Sequence, residues 1–465
     1  TTLGVIFGNR DFFPDHLVAE ARKDILALFQ EMNIEGVMLA ENETKLGSVE
    51  TYAHSKACAD LFKANRERID GVLVVLPNFG DEKGVADTIK LSGLNVPILV
   101  QAYPDDLASF NVERRRDSFC GKISVCNNLR QYGYEYTLTS LHTSHPTSES
   151  FKADLAKFLG VCRVVRGLRS VRLGAIGARP GSFQTVRYSE KILQASGITV
   201  TTVDLSEILG DAARLADDAA RVKDKLATIQ AYAKHDTVPS PAMVRMAKLG
   251  LVIDDWMQAN DLQATALQCW TSIQKNYGIN ACTLMSMMSN QLLPSACEVD
   301  ITGVVSMYAL QLASGSPAAL VDWNNNYGDD PDRCVFFHCG NWAKSFVPDI
   351  EIKTAPILGT NLGEENTYGA MAGRAAAGPV TYARVSTDDV NGIICAYTGE
   401  GELTDDPLDT FGHRAVIHTP GLQDLLAYLC KNGFEHHVAM TMGNVSETLD
   451  EAFTTYMGWE NYKHL

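Results

Sequence analysis

The stretch that decides the fold opens with Gln291-Leu-Leu-Pro-Ser-Ala-Cys-Glu-Val-Asp300 and closes with Val335-Phe-Phe-His-Cys-Gly-Asn341. Between these segments lies an apolar run that ends in Leu320-Val-Asp322. Each of the three segments places an acidic or imidazole side chain beside a run of apolar residues. This arrangement is typical of a site built where elements of an α/β fold end.

A helix is predicted after the first segment, because the apolar residues at 304, 305, 308 and 312 share one helical face. Residues 319–321 and 335–337 are short apolar runs typical of strands. Asp322 and His338 then follow directly on strand ends. The carboxyl edge of such strands is where α/β sheets carry their ligand sites.

Glu298, Asp322 and His338 together suit a divalent cation with open coordination positions, Mn²⁺-like rather than structural zinc. Taken singly, each residue is more simply an ordinary polar group at the end of a strand. The set of three, each beside an apolar run, favours a metal site.

The pattern of apolar runs and turn residues divides the chain into three predicted domains. Residues 1–165 alternate strand and helix patterns, which predicts a parallel α/β sheet. Residues 166–325 repeat that pattern, with a long helix expected across 211–232, and carry the two acids. Residues 326–465 show short β-type runs separated by Gly and Pro, which predicts a small antiparallel barrel or sandwich with a last helix.

Composition narrows the class of protein. A chain of 465 residues with 46% hydrophobic and 21% charged residues is that of a soluble protein with several cores. A net charge of −16 argues against a nucleic-acid partner, because phosphate binding depends on clustered Lys and Arg. The eleven cysteines show no CxxC spacing, the first strand has no signal peptide ahead of it, and no apolar run is of membrane-spanning length. We therefore expect a cytoplasmic protein with no membrane partner.

Four short motifs resemble the L-fucose isomerase and L-arabinose isomerase family of metal-dependent ketol isomerases. These motifs are Cys297-Glu-Val-Asp300, Leu320-Val-Asp322, Phe337-His-Cys-Gly340 and His436-His-Val-Ala439. Their order along the chain is similar to that of the family. The resemblance implies two successive flavodoxin/Rossmann-like parallel-sheet domains followed by a C-terminal antiparallel β-barrel domain.

The resemblance also implies an Mn²⁺ site, with Co²⁺ or Mg²⁺ as alternatives. Glu298 and Asp322 match the family's metal-binding acids, which serve as the acid/base pair, and His437 matches its late histidine. His338 matches a fourth ligand of the arabinose branch, whereas an Asp at position 322 is typical of the fucose branch. Because consecutive strand residues point to opposite faces, only one of His436 and His437 is expected to face the metal, and the family pattern selects His437.

Further positions are expected to contact the sugar. Arg10 and Asn78 match sugar-contacting positions of the arabinose branch, although Arg10 is equally well an ordinary surface arginine. Arg10, Arg179 or Arg374 could bind an anionic or hydroxyl-rich tail of the sugar, and His436 could touch the substrate. Family members are oligomers whose sites are completed by a neighbouring subunit. We therefore expect a homo-oligomer, a trimer, tetramer or hexamer, that acts on a small sugar.

Two other functions fit parts of the pattern. A non-catalytic sugar-binding module would also contain two α/β domains, but it predicts a signal peptide and lacks an acid–acid–histidine set. A metal-dependent sugar hydrolase or aldolase would use the same ligand types. Product analysis separates these enzymes from an aldose–ketose isomerase, which forms a ketose and nothing else.

Overall fold

The computed structural model describes residues 1–464. The chain forms two compact units. The first unit contains Thr1–Arg166 and Glu451–Gly458, and the second contains Gly167–Asp450 and the residues from Trp459 onward. The division into three domains that the sequence suggests stays a prediction.

The first unit is built on a parallel sheet. Its strands are β1 (Thr2–Gly8), β2 (Glu35–Val37), β3 (Ser48–Val49), β4 (Gly71–Leu76), β5 (Ile98–Ala102) and β6 (Thr137–Leu138). Its helices are α1 (His16–Glu31), α2 (Tyr52–Ala64), α3 (Glu82–Ser92), α4 (Ser118–Gln131) and α5 (Glu149–Leu168), whose last two residues belong to the second unit. The strand order is β2-β1-β4-β5-β6, with β3 paired to β1. Every pair is parallel, as predicted.

Local sequence explains the elements of this sheet. The β4 run Gly-Val-Leu-Val-Val-Leu is buried along its whole length, as expected of a parallel strand covered on both faces. Helix α3 begins where the Asp81 side chain accepts a hydrogen bond from the Gly84 N–H, and it ends at Gly93, whose φ of 63° suits a residue without a Cβ.

The second unit begins with another parallel sheet. Its strands are β7 (Arg172–Ile176), β8 (Thr199–Val203), β9 (Ala264–Leu267) and β10 (Ser295–Ala296), in the order β10-β9-β7-β8. Its helices are α6 (Glu190–Ala195), α7 (Leu205–Arg214), α8 (Ala220–Tyr232), α9 (Ser240–Ala259), α10 (Ser272–Tyr277), α11 (Cys282–Asn290) and α12 (Ile301–Ser314). The long helix expected across 211–232 is wrong, because Leu215 and Ala219 have extended backbone that separates α7 from α8.

A nine-stranded mixed sheet follows in the same unit. Its strands are β11 (Ala318–Asn326), β12 (Arg333–His338), β13 (Glu351–Lys353), β14 (Ala370–Arg374), β15 (Gly378–Asp388), β16 (Ile393–Thr404), β17 (His413–His418), β18 (His437–Met442) and β19 (Glu460–Lys463). Its order is β13-β14-β17-β12-β11-β18-β15-β16-β19, and β16 also pairs with β17. The expectation of an antiparallel sheet is wrong for two pairs, β14–β17 and β16–β19, which are parallel. The closed barrel stays a prediction.

Helices complete the C-terminal region. They are α13 (Pro356–Leu362), α14 (Leu422–Asn432) and α15 (Ser446–Asp450), followed by π-helical turns over Glu451–Tyr456. Single 3₁₀ turns lie at Lys45–Gly47, Leu107–Ser109, Gln184–Val186 and Glu364–Asn366. Within residues 1–464, none of the helices combines the length and the apolar character that crossing a bilayer requires.

The expected position of Asp322 at the end of a strand is wrong. Asp322 lies inside β11, which pairs antiparallel with β12 and with β18. The apolar pattern stops at Val321, but the ladder to β12 continues through the polar residues as far as Asn326. The apolar pattern therefore indicated where the buried part of β11 ends, which is four or more residues before the strand itself ends.

Candidate metal centre

Glu298 lies in a strained turn between β10 and α12. Its φ is 55° and that of Val299 is 56°, both in the left-handed region that β-branched residues rarely adopt. Such backbone costs about 1–3 kcal/mol per residue and persists where the surroundings impose it. The Val299 N–H donates to Leu267 O (3.3 Å), and the Asp300 carboxylate caps α12 by accepting from the Gly303 N–H (2.8 Å). These contacts fix the turn that carries Glu298.

Two groups of candidate ligands meet at His437: Glu298, His338 and His437 form one, and Asp322, His436 and His437 form the other, each with its ligand atoms within 4.8 Å of one another. The Nε2 atom of His437 lies 3.6 Å from Oε2 of Glu298 and 3.5 Å from Oδ1 of Asp322. His338 Nε2 lies 3.9 Å from the same Glu298 oxygen. Metal–ligand bonds of about 2.1 Å place the ligands of one ion about 3–4 Å apart, so these spacings suit a shared cation.

Two oxygens at this point lack hydrogen-bond partners. Oε2 of Glu298 and Oδ1 of Asp322 are enclosed atoms that accept no hydrogen bond. Leaving a buried polar atom unsatisfied costs about 1–3 kcal/mol, and more if it is charged. Each oxygen lies within 3.6 Å of Nε2 of His437 and belongs to a group of three candidate ligands, so the residues present fit a divalent metal ion beside this nitrogen.

His437 is oriented by a buried carboxylate. Its Nδ1 lies 2.8 Å from Oδ2 of Asp300, which fixes the proton on Nδ1 and leaves the Nε2 lone pair for the centre. Asp300 receives two further hydrogen bonds from the guanidinium of Arg384, at 2.6 and 3.0 Å. Burial opposes ionisation of Asp300, but Arg384 and His437 hold the pKa of this carboxyl well below its usual range.

The pKa values of the facing groups shift with their burial and their neighbours. Burial raises the pKa of Glu298, although His338 and His437 act in the opposite direction. Burial lowers the pKa of His437, but the hydrogen bond to Asp300 and the surrounding carboxylates outweigh it, so the net shift is upward. The centre thus places His437, whose pKa is raised, beside the buried carboxyl of Glu298, whose pKa is raised as well.

His338 presents a proton to the centre. Its Nδ1 lies 3.0 Å from the backbone nitrogen of Cys339. Burial lowers the pKa of His338, but Cys339 and the nearby carboxylates raise it to about 10, so Nε2, the atom that faces Glu298, carries a hydrogen. A donor N–H at that position suits a substrate oxygen or a carboxylate better than a metal ion. Its assignment as a metal ligand stays a prediction.

His436 and His437 both approach Asp322, so strand alternation does not separate the two side chains, and the choice of His437 as the metal ligand stays a prediction. Nε2 of His436 lies 3.7 Å from Oδ1 of Asp322. Strand alternation does not apply to the pair, because β18 begins at His437 and His436 precedes it. With 42% of its side chain exposed, His436 lies on the open side of the centre.

Aromatic side chains form one wall of the centre. The indole N–H of Trp270 donates to Oε1 of Glu298 (2.8 Å). The ring of Phe183 lies 5.3 Å from that of His436 and 5.6 Å from that of His437. These apolar faces limit water around the polar groups.

Arg179 lines a cleft of about 750 Å³ in the same unit. The cleft extends to Val299, the neighbour of Glu298, and its wall also includes Arg187, Asp388 and Asp389. Arg179 uses one N–H on the carbonyl of Pro180 (3.0 Å). The cleft therefore offers charges of both signs close to the centre.

Arg10 and Asn78 belong to the first unit. Arg10 pairs with Glu82, donates to Gly80 O (2.8 Å) and stacks on Phe79, with 4.2 Å from Cζ to the ring centroid. Asn78 is fully buried and is hydrogen-bonded within its turn, donating to the Asn9 side chain (2.6 Å) and accepting from the Gly80 N–H (3.0 Å). Their assignment to a sugar-binding wall stays a prediction.

Comparison with known protein families shows to which family the chain belongs. Residues 4–169 match the fucose/sulfoquinovose isomerase N-terminal domain, and residues 336–464 match the L-fucose isomerase C-terminal domain. The two matches together cover more than half of the chain. The chain belongs to the L-fucose isomerase-like family. The resemblance inferred from the four motifs is thereby confirmed.

Relatives of this L-fucose isomerase-like chain include sulfoquinovose isomerases. The protein of Priestia aryabhattai is 24% identical over 394 residues, which is 84% of each chain. The protein of Clostridium sp. (strain MSTE9) is 24% identical over 343 residues, 72% of this chain and 74% of its own. A periplasmic solute-binding protein from Actinobacillus succinogenes solved with D-allose covers 68% of this chain and 92% of its own at 6% identity, but its TM-score of 0.18 carries no structural inference.

Sequence reasoning missed several residues that shape the centre. Asp300 is the last residue of the motif Cys297-Glu-Val-Asp300. An Asp directly before an apolar helix is a typical N-terminal cap, so its position could have been found from the sequence. Trp270, Phe183, Arg384 and Glu435 gave no local signal, since each reaches the centre or its supports through tertiary contacts alone.

Proposed function

We propose that this chain is a metal-dependent aldose–ketose isomerase. Glu298, Asp322 and His437 would hold a divalent cation, Mn²⁺ by preference. The observation that carries the proposal is the pair of enclosed carboxylate oxygens, Glu298 Oε2 and Asp322 Oδ1, that accept no hydrogen bond and face the same imidazole nitrogen. The family's isomerase domains and the isomerase relatives support it.

The bound cation would supply charge stabilisation for the two sugar oxygens while a proton moves between C2 and C1. Glu298 and Asp322 form the acid/base pair that removes and returns this proton. Asp300 keeps the His437 lone pair directed at the centre, and the N–H on Nε2 of His338 is placed to donate to a sugar oxygen. Phe183 and Trp270 exclude water from one side.

The substrate we propose is a hexose with an anionic tail. The relatives named sulfoquinovose isomerase support a sulfonated sugar. Arg179, on the cleft that reaches Val299, would bind the anion, since a guanidinium fork matches such oxygens. His436, on the open side, would contact sugar hydroxyls.

We also propose that the protein is a homo-oligomer in which Arg10 of one subunit completes the sugar wall of another, while the buried Asn78 holds the Gly80 turn to which Arg10 donates. Multi-angle light scattering gives the assembly directly. A monomer with full activity would contradict this part of the proposal.

Turnover after metal removal tests the central proposal. Protein treated with a chelator should convert no aldose, and added Mn²⁺ should restore conversion, with Co²⁺ and Mg²⁺ compared beside it. Sulfoquinovose, L-fucose and L-arabinose are assayed in parallel, with NMR of the products. Cleavage or hydrolysis products in place of a ketose would favour the aldolase or hydrolase alternative, and full turnover by metal-free protein would refute the metal.

A further inference from the structure

A group of sulfur ligands lies directly beside the candidate metal centre. Sγ of Cys269, Sγ of Cys297 and a carboxylate oxygen of Glu298 all lie within 4.8 Å of one another. The Cys269 thiol is 3.5 Å from Oε1 of Glu298. All three residues are buried, with 3%, 0% and 4% of their surfaces exposed. The isomerase chemistry gives the two thiols no task.

The two oxygens of Glu298 face different surroundings. Oε2 points at the imidazoles of His437 and His338, at 3.6 and 3.9 Å. Oε1 lies on the side of the thiols and accepts a hydrogen bond from the Trp270 indole (2.8 Å). A carboxylate oxygen has two lone pairs, so Oε1 can keep that hydrogen bond and still bind a metal ion. Glu298 thus separates an oxygen/nitrogen site from a sulfur site.

We propose that Cys269, Cys297 and Glu298 form a second metal site, one that takes a thiophilic divalent cation such as Zn²⁺ or Cd²⁺. Zn–S bonds of about 2.3 Å and Zn–O bonds of about 2.0–2.2 Å place tetrahedral ligands about 3.5–3.8 Å apart, within the observed spread. Binding releases the two thiol protons to solvent and involves no change of oxidation state. The cation would gain two thiolates and one carboxylate oxygen.

Occupation of the sulfur site would act on the first site through Glu298. Two cations sharing one carboxylate repel each other, and the thiolate-bound ion holds Glu298 by the oxygen that faces away from His437. We therefore expect a thiophilic cation to weaken Mn²⁺ binding and to inhibit the enzyme. This consequence rests on the proposed function, whereas the existence of the sulfur site does not.

The plain alternative is that the two cysteines only fill space, since free Cys often packs as a small apolar residue. Cd²⁺ titration of the metal-free protein, followed through the ultraviolet thiolate-to-cadmium charge-transfer band, separates the two. The wild type should show a band that saturates at one Cd²⁺ per chain. The C269A/C297A variant should lose it, and the matched C120A/C430A variant, which removes two exposed cysteines, should keep it.

A band that survives in C269A/C297A, or that disappears in C120A/C430A, would overturn the assignment. Because two buried substitutions can impair folding, anomalous scattering from crystals of the wild type grown with Cd²⁺ gives an independent answer: density between Cys269 and Cys297 supports the site, and its absence at saturating Cd²⁺ refutes it. Neither measurement involves sugar turnover, so a failure of the isomerase proposal would not be mistaken for a failure here.

Discussion

The Nδ1 atom of His437 lies 2.8 Å from Oδ2 of Asp300, with both side chains buried. Asp300 is ionised and accepts, so His437 donates from Nδ1 and its other nitrogen carries a lone pair toward Glu298 and Asp322. Metal-binding histidines generally have such a partner, which sets both ring orientation and basicity. The relationship makes Asp300 a positioning residue for the proposed centre.

Replacing Asp300 by Asn should weaken Mn²⁺ binding by about 10–100-fold, because the charged acceptor of His437 is lost and the single amide oxygen has to serve both Arg384 and His437. Mn²⁺ affinity is measured by electron paramagnetic resonance of the free ion. The matched control is Asp349→Asn, an exposed carboxylate of the same unit whose loss should leave the affinity unchanged. Unchanged affinity in folded Asp300→Asn protein would contradict the role given to Asp300.

Arg384 is the cation that supports this arrangement. It is fully buried and pairs with Asp300 and Glu435, and it also donates to Thr302 Oγ1 (2.8 Å). Arg384→Met should lower the free energy of unfolding by about 3–5 kcal/mol, since it leaves two buried carboxylates without their partner. Denaturant unfolding measures this loss.

The control for Arg384 is an exposed ion pair. Arg214→Met removes a guanidinium that is 73% exposed and pairs with Asp211, so it should change the free energy of unfolding by less than about 1 kcal/mol. Equal effects of the two substitutions would mean that burial of Arg384 does not determine its contribution.

Arg179 tests the choice of substrate. Arg179→Met should raise KM for a sulfonated hexose by about tenfold or more, because the anion loses a charge-assisted hydrogen bond worth about 1.5–3 kcal/mol. Its kcat should change little, because Arg179 does not take part in proton transfer. Arg214→Met again serves as control. An equal rise in KM for a neutral sugar would show that Arg179 contributes to the shape of the cleft and does not recognise the anionic group of the sugar.

Continuous or alternating patterns made the α/β sheets predictable from sequence. The β4 run is apolar throughout, so the bounds of this strand can be predicted from the sequence. The end of β11 in the C-terminal sheet could not be predicted from the sequence. This strand continues past Asp322 through Trp323 and three asparagines, and the asparagines carry no apolar signal. Hydrogen bonds to β12 hold that segment, and a pairing partner cannot be deduced from one strand alone.

The first ring of candidate ligands was predictable, and its supports were not. Glu298, Asp322 and His437 belong to short motifs. In the structure, one oxygen of Glu298 and one of Asp322 lie within 3.6 Å of Nε2 of His437. Arg384 lies inside β15, where an inward-facing arginine runs against the usual burial preference. Only the tertiary structure reveals that Asp300 and Glu435 lie opposite it.

The adjacent histidines provide the sharpest test of the centre. His437 is buried, its Nε2 faces Glu298 and Asp322, and Asp300 holds its other nitrogen. His436 has 42% of its side chain exposed and approaches Asp322, at 3.7 Å. His437→Ala should therefore abolish tight Mn²⁺ binding and most turnover, whereas His436→Ala should keep Mn²⁺ binding and lose part of the turnover through weaker sugar contacts.

Both variants are compared with the wild type for Mn²⁺ affinity, KM and kcat, after their unfolding midpoints show that they are folded. His437→Gln serves as a size-matched variant that fills the space but offers an amide in place of an imidazole, so it should bind Mn²⁺ no better than the Ala variant. Loss of Mn²⁺ from the His436 variant, with retention in the His437 variant, would transfer the ligand assignment to His436. That result would leave Asp322 in the centre, since both imidazoles approach the same Asp322 oxygen.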